Sequence, residues 1–203
     1  MSITLTELKS KDYKKAIQFA IDGMHFSMYL NEGFMLNVYG TYFLYDELNK
    51  ATQVIAAYEG DNLVGLLLAD IKGEPKKYET VWKTVYAGVV NFIQHRLFKE
   101  GVENYDQANK ELFAEYLKNN SPDGQIVFLA ADPLAKIKGI GTILLKELEK
   151  REKGKQVYLY TDDACTYQFY EHRGFDRAGE KDVVLELGEK QVPLKCMLYS
   201  KIL

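Results

Sequence analysis

The sequence QIVFLAADPLAKIKGIGTILL, residues 125–145, contains a predicted strand, a turn with two glycines and the start of a predicted helix. Ile126–Ala131 is apolar without alternation, which predicts a strand covered on both faces. The turn exposes successive backbone N–H groups at a helix N-terminus, and Lys136 and Lys138 add positive charge. Because these donors and the helix dipole favour negative charge, the segment indicates a site for an anion such as a pyrophosphate.

Two well-known phosphate-binding motifs are incomplete in this turn. A dinucleotide-binding fingerprint needs a third glycine or alanine, and Leu144 stands at that position. A P-loop needs Gly-Lys-Ser/Thr, and Gly141 is followed directly by Thr142. Gly139 and Gly141 therefore keep two interpretations, an anion site or a tight turn that only requires small residues.

Apolar periodicity predicts strands and helices on both sides of this segment. The predicted strands are Ile3–Leu8, Gln53–Tyr58, Leu63–Ile71, Ile126–Ala131, Gln156–Thr161, Lys181–Leu187 and Val192–Tyr199. The first predicted helix follows Ser10 or Asp12, and a second ends before Asn49. Residues 78–118 predict two helices separated by Gly101. A further helix carries Ile143, Leu144 and Leu148, and the last runs from Asp162 or Asp163 to about Arg173. Residues 53–71 and 181–199 predict two antiparallel hairpins.

Two motifs in this order resemble the GNAT superfamily of N-acetyltransferases. KIKGIG, residues 136–141, resembles the family's Gln/Arg-x-x-Gly-x-Gly/Ala motif, with lysine at the first position. DACTYQFYEHRGF, residues 163–175, resembles the family's N-x-x-A-x-x-x-Y-E-x-x-G-F signature, with Asp163 for Asn and Thr166 for Ala. The resemblance covers residues 125–175 closely, whereas residues 74–122 do not fit the family's usual short connection.

The resemblance implies an α/β (α+β) fold, a single N-acetyltransferase domain over residues 1–203 with a helical insertion at 74–122. Its central sheet would be mixed, mostly antiparallel, splayed and flanked by helices. The implied cofactor is acetyl-CoA, with CoA as the product. The residues implied to bind it are Leu129, Ala130, Ala131, Lys136, Ile137, Lys138, Gly139, Ile140, Gly141, Thr142, Asp163, Phe169 and Tyr170.

The implied reaction is direct attack of a primary amine, from a small molecule or a peptide, on the thioester carbonyl. A backbone N–H near Leu129–Ala131 could stabilise the tetrahedral oxyanion, and Tyr170 matches the family's general acid. Carboxylates that could serve as the base are Glu59, Asp70 and Asp132, each of which has an equally ordinary role as a solvated carboxylate. Cys165 lacks an evident histidine partner, which argues against a cysteine nucleophile.

The acceptor site is predicted only coarsely. Tyr78, Trp82 or Tyr86 would shape the acceptor cleft, or the 74–122 insertion would cover the sheet or form a homodimer surface. Two other classes of protein stay open. One is a non-catalytic acyl-CoA-binding or regulatory domain, and the other is a nucleotide-binding domain that uses Gly139 and Gly141.

The composition argues against several further classes. The chain has 203 residues and a formal net charge of −3 without a basic stripe, which does not favour nucleic acid as a partner. No stretch is apolar over a bilayer-spanning length, and the N-terminus lacks the apolar core of a signal peptide. Cys165 and Cys196 are too few for a disulfide scaffold or a zinc site. These features favour a cytoplasmic protein with no metal and no membrane partner.

Overall fold

The computed structural model describes residues 2–24, 33–78, 80, 86, 99–187 and 190–203. Within them, one mixed sheet has the strand order β1-β2-β3-β4-β5-β7-β6. Its strands are β1 Ile3–Thr6, β2 Gln53–Glu59, β3 Asn62–Ile71, β4 Gly124–Ala131, β5 Gln156–Asp162, β6 Asp176–Leu187 and β7 Lys190–Ile202. The helices are α1 Tyr13–Gly23, α2 Phe34–Lys50, α3 Lys99–Tyr116, α4 Ile140–Arg151 and the single turn α5 Gln168–Glu171. A 3-10 turn, Ser10–Asp12, precedes α1.

The sheet pairing follows from the hairpins that the sequence predicts. β2 pairs with β3, β3 with β4, β5 with β7 and β6 with β7, all antiparallel. β4 and β5 are the parallel pair. The predicted mixed, mostly antiparallel sheet is therefore confirmed.

Helix α4 covers one face of the sheet. Its apolar side, Ile140, Leu144, Leu145 and Leu148, is buried against β2, β3 and β4. Gly65 of β3 permits this approach, since a Cβ there would lie 2.5 Å from Ile140 Cγ2. This close packing places the N-terminus of α4 beside the carboxyl end of β4.

The other face of the sheet is covered by three helices. α1 and α2 pack on β2, β3 and β4 through residues such as Leu44, Leu48 and Phe128. α3, which lies inside the predicted insertion, packs on β5, β6 and β7, and Tyr116 OH lies 2.6 Å from Ser200 Oγ. The second half of the insertion therefore covers the sheet, which was one of the two roles left open for it.

Several local predictions were wrong. Gly101 does not separate two helices, because α3 runs through it. Asp12 does not cap α1 through its side chain, because its carboxylate accepts a hydrogen bond from Tyr58 OH at 2.9 Å.

The helix predicted to run from Asp162 or Asp163 to about Arg173 is much shorter. Only Gln168–Glu171 is helical, and turns occupy the rest. Asp162 Oδ1 accepts hydrogen bonds from the backbone N–H groups of Ala164 and Cys165, which favours a turn over a helix. Among the described residues, no helix is long and apolar enough to cross a membrane.

Candidate functional site

Strands β4 and β5 separate soon after they begin. Their register contains only Gly124 opposite Val157 and Gln125 opposite Tyr158. β4 remains paired with β3 on its other edge as far as Gly65 opposite Ala131. The splay predicted for this sheet is thus present, and it leaves the backbone of residues 126–131 without a partner strand on the β5 side. The backbone groups of an unpaired strand edge need another source of hydrogen bonds, such as water or a ligand.

The turn after β4 ends at the N-terminus of α4. Gly139 is the N-cap residue of α4, with φ of 79°, a conformation that strongly favours glycine. No side chain caps this helix, so its first backbone N–H groups have no side-chain acceptor. Gly141 serves a different purpose, because a Cβ there would lie 3.2 Å from the ring of Phe169. The turn is therefore open to an anion at Gly139 and closely packed at Gly141.

Three cationic side chains lie at this end of α4, one of them from the turn that follows α5. Arg173 donates from Nε and Nη2 to Thr142 Oγ1 at 2.9 and 2.5 Å, and its guanidinium lies 4.4 Å from the centre of the Phe169 ring. Lys136 and Lys138 are exposed in the turn. In the described part of the chain, none of the three forms an ion pair with a carboxylate. Unpaired cations beside the positive end of a helix dipole favour a bound anion.

Tyr170 lies on α5 within a cluster of aromatic rings. Its ring centroid is 5.3 Å from that of Phe169, 5.6 Å from that of Phe175 and 6.2 Å from that of Tyr199. The contact with Phe175 shows that the chain folds back after Gly174. Burial, with a smaller contribution from Cys165, raises the pKa of Tyr170 above its usual value. Its hydroxyl has no hydrogen-bond partner among the residues described. Tyr170 is thus a protonated and unengaged donor.

Glu171 fixes the α5 turn to the sheet. Its carboxylate accepts a hydrogen bond from Tyr199 OH at 2.7 Å and pairs with Arg177 at 2.5 Å. Arg177 also donates to Tyr199 OH at 2.9 Å. Because Glu171 is the neighbour of Tyr170, this network holds the Tyr170 ring against β7.

Cys165 is close to Tyr170 but is a poor nucleophile. Burial and the nearby carboxylate of Asp162 raise the pKa of its thiol to about 12, so the reactive thiolate is scarce at neutral pH. Its Sγ lies 3.9 Å from the backbone oxygen of Gly23. This environment agrees with the expectation that Cys165 is not a nucleophile.

The three carboxylates considered as bases lie in different places. Asp132 pairs with Lys15 at 2.9 Å, and this hydrogen bond lowers its pKa and so weakens it as a base. Glu59 ends β2, and its Oε1 is buried without a hydrogen bond in the described structure. Asp70 lies opposite Gln125 in the β3–β4 register, beside the parallel pair. Of the three, Asp70 is the one placed next to β4 and β5.

Glu47 is a titratable group that the sequence did not reveal. It lies on α2, where burial raises the pKa of its carboxyl to about 7 despite Lys50 at 3.3 Å, and Asp70 adds to the shift. A carboxylate that titrates near neutral pH suits a general base. Only its electrostatic proximity to Asp70, 23 positions along the chain, distinguishes it from the other acidic residues of α2.

Asp163, Tyr78 and Tyr86 also lie in the described structure, and their roles stay predictions. Asp163 Oδ1 accepts a hydrogen bond from the backbone of Lys195, at the β7 side of the turn. Tyr78 packs against the α1–α2 core, and Tyr86 packs edge-on against Tyr45 of α2 at 5.6 Å. Trp82 lies outside the described residues. The described residues contain no cluster of His, Cys, Asp and Glu that could hold a metal ion.

Arg173 was also missed as a site residue. Its only sequence signal was its place before Gly174 in the second motif, where the family's signature allows any residue. Its partners, Thr142 and Phe169, come together only when α5 packs on α4.

Comparison with known proteins gives a consistent answer at the level of the fold. No protein-family profile matches the sequence, and no curated protein matches it. Solved structures do match over nearly the whole chain. PaiA N-acetyltransferase from Thermoplasma acidophilum, solved in complex with coenzyme A, is 15% identical with a TM-score of 0.53, and the match covers 100% of both chains.

Two further matching structures are also described as acetyltransferases. An N-acetyltransferase from Staphylococcus aureus is 14% identical with a TM-score of 0.52, covering 100% of this chain and 99% of that one. A structure from Corynebacterium glutamicum, described as histone acetyltransferase HPA2 and related acetyltransferase, is 14% identical with a TM-score of 0.54, covering 98% and 96%. The chain therefore has the fold of the GNAT acetyltransferases, as the two sequence motifs predicted.

Proposed function

We propose that this protein is an N-acetyltransferase of the GNAT superfamily that transfers the acetyl group of acetyl-CoA to a primary amine of a small molecule or a peptide. The observation that carries this proposal is the open edge of β4 beside the N-terminus of α4. The edge offers backbone hydrogen bonds to the amides of a pantetheine arm. The helix terminus offers donors to a pyrophosphate. Both halves of one elongated cofactor thus have matching partners in adjacent elements.

Two regions of the chain would bind the two parts of the cofactor. Backbone N–H groups from Lys136 to Thr142 would bind the pyrophosphate, with Arg173 supplying charge that the sequence motif did not include. The edge from Leu129 to Ala131 would hold the pantetheine. The coenzyme A reported in the Thermoplasma structure is consistent with this assignment, because that protein has the same fold.

The chemical roles follow from the protonation states of nearby groups. Acetyl-CoA supplies an activated acyl group as a thioester, and a neutral amine attacks it directly. Tyr170 is protonated at neutral pH and has a free hydroxyl, so it can donate a proton to the departing sulfur. Cys165 stays a thiol, so no acyl-cysteine forms. Asp70 accepts the amine proton, and Glu47 behind it titrates in the range where a base is useful.

The direct test compares three ligands in thermal unfolding. We expect CoA to stabilise the folded protein, by about 2.7 kcal/mol at a free concentration 100 times its Kd, and ATP and NAD to stabilise it much less. We expect Arg173→Met to reduce the CoA effect, because it keeps the packing on Phe169 and loses the charge. Stabilisation by ATP or NAD instead of CoA would favour a nucleotide-binding domain.

The second test measures thiol release from acetyl-CoA with a panel of primary amines. Turnover with any of them, together with CoA stabilisation, is the expected result. CoA stabilisation without turnover across a panel of small amines and peptide amines would favour the non-catalytic acyl-CoA-binding domain.

A further inference from the structure

Helix α3 packs mainly on β6 and β7, on the face opposite α4, and side chains along one of its edges reach β5. Phe113 stacks on Tyr158 with ring centroids 4.6 Å apart, and Tyr105 OH donates to Asp162 Oδ2 at 3.2 Å. The helix therefore runs antiparallel to β5, with residue 113 beside 158 and residue 105 beside 162. Helix positions four apart and strand positions two apart advance by about 6 to 7 Å each. Asn109 is midway between these two contacts on the same side of the helix, so it faces the segment of β5 that contains Tyr160.

Asn109 has an unusual environment for a side-chain amide. Its Oδ1 is buried and accepts no hydrogen bond in the described structure. A buried acceptor left unpaired costs about 1 to 3 kcal/mol, so an amide at such a position calls for an explanation. The hydroxyl of Tyr160 also has no hydrogen-bond partner among the described residues, and its ring lies 6.5 Å from that of Phe113. An unpaired amide oxygen thus lies on the side of α3 that faces the open part of β5.

The surroundings of this pair are aromatic. Phe113, Tyr158 and Tyr160 are each partly exposed, and their rings pack against one another along the splayed strand. Aromatic rings of this kind bind apolar or aromatic groups and, over their faces, cations. The surface therefore combines an apolar wall with one unpaired hydrogen-bonding group.

We propose that Asn109 is a specificity-determining residue, whose side-chain amide hydrogen-bonds the acceptor amine while Phe113, Tyr158 and Tyr160 pack against an aromatic or apolar group attached to that amine. This inference rests on the proposed function, because it assigns the acceptor side of the same splay. It gives the 74–122 insertion a role in selecting the acceptor as well as in covering the sheet. Binding through this buried oxygen requires neighbouring side chains to shift, a common response to ligands.

The experiment uses 2-phenylethylamine as the probe and calorimetric titration as the readout, with and without saturating CoA. Asn109→Leu and Asn109→Ala are compared with the wild type and with Asn104→Leu. Asn104 is a matched control because it lies on the same helix, is exposed and donates to the backbone oxygen of Val184 at 3.1 Å.

We expect wild-type protein to bind the amine, both Asn109 variants to bind it about fivefold or more weakly, and Asn104→Leu to bind it as the wild type does. CoA affinity should not change in any variant. Asn109→Leu should also raise Tm by about 2 °C or more relative to Asn104→Leu, because an unpaired polar group is replaced by an apolar one of similar size.

Three outcomes would overturn the proposal alone. They are a wild type that does not bind 2-phenylethylamine, an Asn109 variant that binds it unchanged, and an Asn109 variant that loses CoA and amine binding equally. Amine binding by a protein that does not bind CoA would instead contradict the proposed function, and with it the assignment of Asn109 to the acceptor.

Discussion

Strands β4 and β5 begin as neighbours and end apart, and the two ends of this pair are built differently. At the paired end, Asp123 bonds Gln156 through both its backbone N–H and its carboxylate, and Tyr158 OH donates to Gln125 at 3.0 Å. The open end has four groups of another kind. The edge of β4 has no partner strand on the β5 side, and the N-terminus of α4 has no side-chain cap. In the described structure, Arg173 pairs with no carboxylate and the Tyr170 hydroxyl makes no hydrogen bond. The paired end is held together by hydrogen bonds within the chain, whereas the open end leaves hydrogen-bonding groups and charges that suit a ligand.

The largest expected effect belongs to Tyr170 at the open end. We expect Tyr170→Phe to lower kcat about 100-fold, because it removes the proton donor and keeps the ring, while the Kd of CoA stays within about twofold. Steady-state thiol release checks this with whichever amine the wild type accepts. Tyr167→Phe is the control from the same turn, and unchanged turnover in Tyr170→Phe would remove Tyr170 from its assigned role.

The paired end should respond in stability and not in ligand affinity. A Cβ at Gly124 would lie 2.6 Å from the backbone oxygen of Asp70 on β3, so Gly124→Ala forces β3 and β4 apart at this end. We expect a loss of about 2 kcal/mol in the free energy of unfolding, measured in urea. The Kd of CoA for the folded protein should not change, and a large loss of CoA affinity would show that the two ends are not independent.

Substitution of the glycine at the start of α4 should lower both the stability of the protein and its affinity for CoA. Gly139→Ala places a side chain at φ of 79° and should cost about 1 kcal/mol of stability, as should Gly154→Ala at φ of 84°, since neither Cβ meets another atom within 4 Å. Only Gly139→Ala should also weaken CoA binding. Equal CoA affinity in the two variants would mean that Gly139 serves the turn alone.

The smallest effect is expected at Cys165. Because burial raises the pKa of its thiol to about 12, the residue stays protonated from pH 6 to pH 9 and takes no part in the reaction. Cys165→Ala should leave kcat within about twofold and should not alter the pH profile over that range. A loss of turnover in this variant, with normal stability, would require a covalent mechanism instead.

The sequence predicted the parts of this molecule that depend on local pattern. The apolar run of β4, the glycine turn and the helix end before Gly174 depend on residues that are neighbours in the sequence. The predicted order of strands and helices over residues 125–175 is confirmed. The α5 helix was predicted too long because Asp162 satisfies two backbone N–H groups in a turn. Gly101 was assigned as a break because glycine disfavours helices, but packing of α3 on the sheet overrides that preference.

The parts that the sequence did not predict depend on contacts between distant positions. Arg173 reaches Thr142 across 31 positions, and Glu47 is perturbed by Asp70 on another element. Asn109 is distinguished only by its buried side-chain oxygen, which accepts no hydrogen bond in the described structure. Such groups have no local signature, since their chemistry arises when separate elements pack together.

Amide hydrogen exchange along β4, measured with and without CoA, tests most directly whether the open edge binds the cofactor. We predict that CoA slows exchange at residues within 126–131 and in the turn from Lys136 to Thr142, while Gly124 and Gln125 at the paired end stay unchanged. ATP at the same concentration should leave β4 unaffected. Protection confined to the turn, or equal protection by ATP, would contradict the account, because the splay would then have no part in binding.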